Sequence, residues 1–199
     1  MTITSSYLTP ESKGEAASSN RLNGRRILIF GAGQDDCGID SPPIGNGRAM
    51  TVLFAREGAT IVAVDKNLES VEQTCAMIMH EGGHAAPVQA DVCNPDEIEA
   101  AVKVAEEVMG GIDGLVYNIG MGAAMGIESL SVDSWDADMQ VNLRGAALVL
   151  KAAWPLLSEG ASIAITSSVA SMIPRSQIPA YDASKAGLAG LMRHAALEG

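Results

Sequence analysis

Five short runs rich in β-branched and other apolar residues alternate with longer stretches of helical periodicity, and this alternation restricts the fold more than any other feature of the 199-residue chain. Strands that each lead into a helix read as βαβ units, which assemble into a parallel sheet with helices on both faces. The expected strands are 26–30, 60–64, 85–90, 113–118 and 162–166, and the expected helices 45–57, 67–80, 94–109, 131–157 and 180–199. The clearest helix start is Asn94-Pro95-Asp96-Glu97, with Asn as N-cap, Pro at the first helical position and Glu at the third. Gly82 and Gly83 stop the helix before them. The expected fold class is α/β, a doubly wound parallel sheet, in which ligands bind beyond the carboxyl ends of the strands. That rule puts the sites at Gly31, Asp65, Asp91, Asn118 and Ser168.

Composition narrows the partners. With 24 acidic and 13 basic side chains the formal net charge is −11, and no Lys/Arg run offers a basic face to nucleic-acid phosphates or an anionic membrane. Apolar stretches break at charges such as Lys151, well short of a membrane span. Residues 1–24 are expected to form a disordered polar tail, without the apolar segment of a secretory signal, ahead of one domain over 25–199. Cys37, Cys75 and Cys93 show no CxxC spacing and read as reduced thiols of a cytoplasmic protein. Hydrophobic residues make up 47% of the chain and aromatics only 4%, so the core must be built from Ala, Val, Leu, Ile and Met.

The first strand runs into Gly31-Ala32-Gly33. Glycine lets backbone N–H groups approach a pyrophosphate, and a helix N-terminus favours its charge. As GxGxxG the pattern fails, because the third glycine position holds Asp36, and Asp35 and Asp36 would repel phosphate if turned inward. Gly45, Asn46 and Gly47, which open the next helix, are the better phosphate candidates. Asp65, 18 positions after Gly47 at the end of the second strand, is placed to accept hydrogen bonds from an adenosine ribose. The plainer alternative is a strand-end carboxylate capping the next turn. A bare carboxylate there also repels a 2′-phosphate, which favours NAD over NADP, with Lys66 next door as the opposing charge.

Tyr181 and Lys185 stand at i and i+4, on one helical face. A free phenol titrates near about 10, so its use as a base at neutral pH requires a cation that stabilises the phenolate, and Lys185 supplies one. The alternative is a surface tyrosine beside a solvated lysine. Upstream, Ser167 and Ser168 end the fifth strand, where a hydroxyl faces the same cleft.

Taken together these residues resemble the short-chain dehydrogenase/reductase family. The resemblance covers residues 24–199 in order: the glycine loop, Asp65, Asp91-Val92, Asn118-Ile119-Gly120, Asn142 in the long helix, Ser168, and Tyr181 with Lys185. Ser168 precedes Tyr181 by 13 positions, the family's usual spacing, which selects it over Ser167. The resemblance implies a Rossmann-type domain and hydride transfer between a nicotinamide and a secondary alcohol or ketone. Tyr181 would be the general acid/base, Ser168 would hold the reacting oxygen, Lys185 would hold the nicotinamide ribose, and Asn142 would position a proton-relaying water. Asp91 and Val92 would flank the adenine, and Asn118 and Gly120 would line the cofactor. A homo-oligomer, dimer or tetramer, is expected through the long helix and the tyrosine helix, where Ala183, Ala186, Gly187 and Gly190 allow close packing.

The chain departs from the family pattern in three places. Thirteen residues separate Gly31 from Gly45 where the family has three, an insertion of ten residues near 34–43 that either covers the pyrophosphate or loops into solvent. Phe30 stands for the usual Thr, and Tyr117-Asn118-Ile119-Gly120 for Asn-Asn-Ala-Gly, which calls one side-chain hydrogen bond of the family turn into question. The family's later strands and substrate loop have no counterpart before Gly199, so the domain is expected to lack its C-terminal strands and most of a substrate pocket. A non-catalytic dinucleotide-binding module is therefore the alternative to an enzyme. Sugar-nucleotide epimerase chemistry shares the Tyr-Lys pair, but Asn142 and the turn at Asn118 fit it less well. His80-Glu81-Gly82-Gly83-His84 matches the letters HExxH, but two adjacent glycines make it a helix-ending turn with two solvated histidines. Cys37, in the insertion, reads as a spectator thiol. Met121 and Met125 either line a substrate pocket or fill core gaps.

Overall fold

The computed structural model describes residues 18–35, 38–40, 42–173 and 176–199. Five strands, β1 (Arg26–Phe30), β2 (Thr60–Asp65), β3 (His84–Gln89), β4 (Ile112–Tyr117) and β5 (Leu157–Ile165), form one parallel sheet in the order β3-β2-β1-β4-β5. The order reverses at β1, so the chain leaves β1 and β4 on either side of a crevice at their carboxyl ends.

The core lies on both faces because the strands are apolar on both. Leu28, Phe30, Val62, Val64 and Leu115 pack under α3 (Pro95–Met109), α5 (Gly145–Ala153) and α6 (Pro179–Glu198). Their odd-even partners Ile27, Ile29, Ile61, Ala63 and Val116 pack under α1 (Asn46–Arg56) and α2 (Leu68–His80). This two-sided burial is what continuous hydrophobic runs in a parallel sheet require. The start of α3 follows its sequence signal: the Asn94 side chain accepts from the Asp96 N–H at 3.1 Å, Pro95 stands in the first turn, and Gly110 closes the helix at φ 72°.

The expected helix 131–157 is broken into four pieces. Ser131 caps α4 (Val132–Met139) by a reciprocal bond with Ser134, a π turn spans Gln140–Arg144, α5 follows, and a 3-10 turn over Trp154–Leu156 ends the run. Pro155 explains the end, since it offers no N–H to the carbonyl one turn earlier. Strand β5 then begins at Leu157, five residues ahead of the expected Ser162, because Ser158-Glu159-Gly160 is an irregularity inside the strand and not a turn before it. Pairing steps from Ile112↔Leu157 to Gly114↔Ser162, and Gly160 takes φ 75°. Strand β3 is shifted one residue toward its start, from His84.

The end of the expected tail belongs to the domain. Glu57 accepts the N–H groups of Ser19 and Arg21 and the Arg21 guanidinium, and Leu22 packs on the core face under α1 and α2. The motif at 18–24 looks polar in sequence because its contacts are backbone hydrogen bonds to a buried carboxylate. Residues 1–17 lie outside the described residues.

At the amino ends of β1 and β4, Arg26 forms a two-pronged pair with Asp113, 2.8 Å on each prong, and reaches Ser158 on β5 at 2.6 Å. The guanidinium holds the Asp113 carboxyl far below the usual carboxylate range. The folded state thus gives up this proton more readily than the unfolded chain, so the stabilisation is present above about pH 4 and is lost as the pH falls below it. Asp113→Asn is expected to flatten this acid limb: its urea midpoint changes less than that of the wild type between about pH 5 and about pH 3.

Candidate active site

Because every strand runs the same way, all five expected positions lie beyond one edge of the sheet. Gly31 turns the chain off β1 at φ 83°, and a Cβ there would meet the Asn118 carbonyl at 2.8 Å. Gly47, in the first turn of α1, presses on the Gly31 carbonyl so closely that a Cβ would sit 1.9 Å from its oxygen. The two glycines bring the first turn of α1 against the ends of β1 and β4. Gly45 is the N-cap, no side chain caps this helix end, and its first turn carries no acid. The positive end of α1, starting at Asn46, is therefore uncompensated by any acid in its first turn.

A network that no sequence pattern announces closes the base of the insertion. The Gln34 N–H donates to Ser70 Oγ at 2.7 Å, Ser70 Oγ donates back to the Gln34 carbonyl, and the Gln34 side chain accepts the Gly45 N–H at 3.0 Å. Arg48 turns away from the cleft to Thr74 Oγ1 and the Ser70 carbonyl, both at 3.0 Å. Its place in Ile44–Ala49 is visible in sequence, but its partners lie 22 to 26 residues away on α2. Asp36 and Cys37 lie outside the described residues.

Asp65 caps the turns on either side of it. One carboxylate oxygen accepts the Gly33 N–H at 2.8 Å and the other the Asn67 N–H at 3.1 Å. A carboxylate offers about four lone-pair sites, so acceptor capacity remains for ribose hydroxyls. Lys66 is exposed beside it, and its carbonyl accepts from Gln89. Asp91 is exposed, accepting from the Cys93 N–H at 2.8 Å, whereas Val92 is buried in the core, where a Cβ on Gly145 would lie 3.0 Å from it. Asn118 ties the strand ends together, donating to the Gly31 carbonyl at 3.3 Å and accepting the Thr166 hydroxyl at 2.9 Å. The buried Tyr117 hydroxyl donates to the Val141 carbonyl in the π turn.

The π turn also aims Asn142 inward, fully buried. Its amide oxygen accepts the Met121 N–H at 2.8 Å, and its nitrogen donates to the Met121 carbonyl at 2.8 Å and to Ser184 Oγ at 2.9 Å. The side chain braces the segment after β4 against α6, leaving one oxygen lone pair for the expected water.

Tyr181 and Lys185 occupy successive turns at the start of α6, with the ammonium 5.8 Å from the centre of the phenol ring. Lys185 is buried and donates to the carbonyls of Ile119, at 2.9 Å, and Thr166, at 3.0 Å. Burial pushes it down to about 8. An ammonium has three donors, so one remains for a further partner. A Cβ on Gly120 would meet this nitrogen at 3.0 Å, which explains glycine there. Ser168 accepts the Ala170 N–H at 3.1 Å and caps the turn Val169–Ser171, and its own proton goes to no described residue. Ser167 instead donates to the Lys185 carbonyl at 2.9 Å.

Other candidates fall elsewhere. His80 ends α2 and His84 opens β3, the turn expected of HExxH with two glycines. Cys75 is buried in the core, where its thiol is pushed up to about 11. Gly187 packs inside the chain, since a Cβ there would meet Leu143 at 2.7 Å, which leaves Ala183, Ala186 and Gly190 exposed on α6. Met121 and Met125 are exposed, so neither fills a core gap. A cavity of about 440 Å³ lined by Arg21, Glu57 and His84 lies at the amino ends of the strands, away from this cluster. No helix among the described residues is long and apolar enough to cross a membrane.

The chain is similar in sequence and fold to known proteins. Residues 43–199 match the family model described as short chain dehydrogenase. The chain is 32% identical over 187 residues to a cyclohexanol dehydrogenase of Acinetobacter sp. (strain SE19), covering 92% of this chain and 70% of that protein. It is 32% identical to a probable galactose dehydrogenase of Rhizobium meliloti (strain 1021), covering 86% of this chain and 64% of that protein. Among solved structures, levodione reductase superposes with a TM-score of 0.81 at 31% identity, over 89% of this chain and 67% of that one. The chain thus spans about two thirds of the length of these relatives.

Proposed function

Because the chain belongs to the short-chain dehydrogenase/reductase family, we propose that its cluster at the carboxyl ends of the strands interconverts a secondary alcohol and a ketone, with Tyr181 as general acid/base. The observation that carries this reading is the buried Lys185 ammonium, anchored by two strand-end carbonyls beside the Tyr181 ring. A family nicotinamide dinucleotide fits the uncapped start of α1, where Gly31 and Gly47 leave no room for a side chain between backbone and helix. When bound, that cofactor accepts or donates the hydride.

The protein's own residues handle the proton. In the oxidation direction the Tyr181 phenolate oxygen takes the proton of the substrate hydroxyl, and in reverse the Tyr181 hydroxyl returns one to a carbonyl. Ser168, with its proton uncommitted among the described residues, hydrogen-bonds the reacting oxygen. Asn142 keeps Met121 and Ser184 in register around Lys185. The rim is apolar, with Met125 and Ile127 exposed on one side and Val169 and Met172 on the other, joined where the Gly126 N–H donates to the Gln177 carbonyl. This supports a substrate with an apolar body, of the kind named for the Acinetobacter relative.

Asp65 supports NAD as the cofactor, because its carboxylate repels a 2′-phosphate and Arg48 is committed to α2. Asp65→Asn keeps one acceptor oxygen, gives up the other and removes the charge, so the ratio of NADPH to NADH affinity is expected to rise about tenfold, or about 1.4 kcal/mol, in fluorescence titrations. Titrating NADH beside a turnover assay with cyclic and linear secondary alcohols tests the reading as a whole: saturable binding with turnover supports it, and binding without turnover favours a dinucleotide-binding module.

A further inference from the structure

Asp138 stands apart from every other group near the site. It is fully buried on α4, and among the described residues its two carboxyl oxygens are the buried side-chain atoms left without a hydrogen-bond partner. It precedes Asn142 by one helical turn, and the Ala123 N–H points toward it outside hydrogen-bond geometry, favouring the charged form to an extent that burial outweighs. The segment it lies against is thus the same one that Asn142 grips through both backbone groups of Met121.

Neighbouring charges do not compensate it. On the packed helix α6, Lys185 is turned to the carbonyls of Ile119 and Thr166, Asp182 is bound to the Ser176 hydroxyl, and Tyr181 lies beside Lys185. Asp133 and Asp136 on its own helix, and Glu128 just before it, are exposed at the surface. An ionised carboxylate buried without a partner costs several kcal/mol, and such groups stay neutral instead. Burial indeed raises this carboxyl above its ordinary range.

We infer that Asp138 is carried as the neutral acid and acts as a proton-dependent positioning residue, seating Met121–Ala123 on Asn142 while protonated and releasing that segment when ionised. The inference goes beyond the proposed reaction and does not need it, because it is read from the chain alone without turnover.

The sign follows from linkage: a raised carboxyl stabilises the seated state fully below its unfolded value and loses that contribution as the pH rises. Amide hydrogen exchange at Met121, whose N–H is held by Asn142, corrected for the intrinsic pH dependence, is compared between the wild type and Asp138→Asn. In the wild type the local opening constant is expected to rise about tenfold per pH unit from about pH 4 to the carboxyl's own titration, then level off. In Asp138→Asn that slope is expected to vanish. The same slope in both proteins overturns the inference. A carbon-13 titration of the wild-type side chain decides independently, even if the variant does not fold: ionisation in the ordinary aspartate range overturns it, and ionisation well above that range supports it.

Discussion

Tyr181→Phe is expected to lower turnover by about 10²–10⁴-fold, or about 3–5 kcal/mol of barrier, while NADH still binds. The phenyl ring keeps the packing at the start of α6 and the contact beneath Lys185, so only the transferable proton is removed. Lys185 retains both carbonyl partners in this variant and the proposed cofactor cradle at Gly31 and Gly47 is untouched. The comparison therefore separates chemistry from binding. Turnover that survives Tyr181→Phe would remove the tyrosine from the mechanism, and a parallel loss of NADH binding would mark it as a structural residue.

Gly47→Ala is expected to lower stability by at least about 3 kcal/mol, and the thermal midpoint by roughly 6–12 °C. The added carbon would lie 1.9 Å from the Gly31 carbonyl oxygen, where real contacts almost never fall below 3.0 Å. That oxygen belongs to the backbone between β1 and the glycine turn, so it cannot rotate aside as a side chain would. Relief requires α1 to lift off the strand ends, which also removes its N-terminus from the proposed cofactor site. Gly190→Ala is the control: it lies inside α6 with nothing within 4 Å of the added carbon, and is expected to leave stability unchanged or raise it by roughly 0.5–1 kcal/mol. Calorimetry of the two variants reads the difference. Equal midpoints for Gly47→Ala and the wild type would mean that the close approach of α1 to β1 is not what these glycines are for.

Much of this architecture is legible in the sequence because parallel strands are apolar on both faces and end in recognisable residues. Ile27 to Phe30 and Ile61 to Val64 are buried on alternating faces, so hydrophobicity alone locates them, and Asn94-Pro95 marks a helix start by chemistry that acts within one turn. The elements that differ from expectation depend on longer-range geometry. The π turn at Gln140–Arg144 carries no composition that sets it apart from an α-helix, yet it directs Asn142 inward and leaves Val141 facing Tyr117. The early start of β5 rests on pairing with Ile112, which no local pattern of Ser158-Glu159-Gly160 announces.

Within the site, residue types and order single out Tyr181, Lys185, Asn118 and Asp65. What they touch is not readable from order alone. Ser70, Gln34 and Thr166 complete the network through ordinary polar side chains whose partners lie 11 to 48 residues distant. Asp138 is the opposite case, since an aspartate on a helix that also carries Asp133 and Asp136 reads as solvent-facing until its burial is seen.

Whether the carboxyl ends of the strands form a dinucleotide-dependent site can be read from the backbone amide resonances of the chain during an NADH titration. Saturable shifts are expected at Gly31, Asn46, Gly47 and Lys66 and around Ile119 and Lys185, with the amino-end residues Arg21, Glu57 and His84 unmoved. Shifts confined to that amino-end cavity, or no saturable shift at all, would rule out a dinucleotide site at the strand ends.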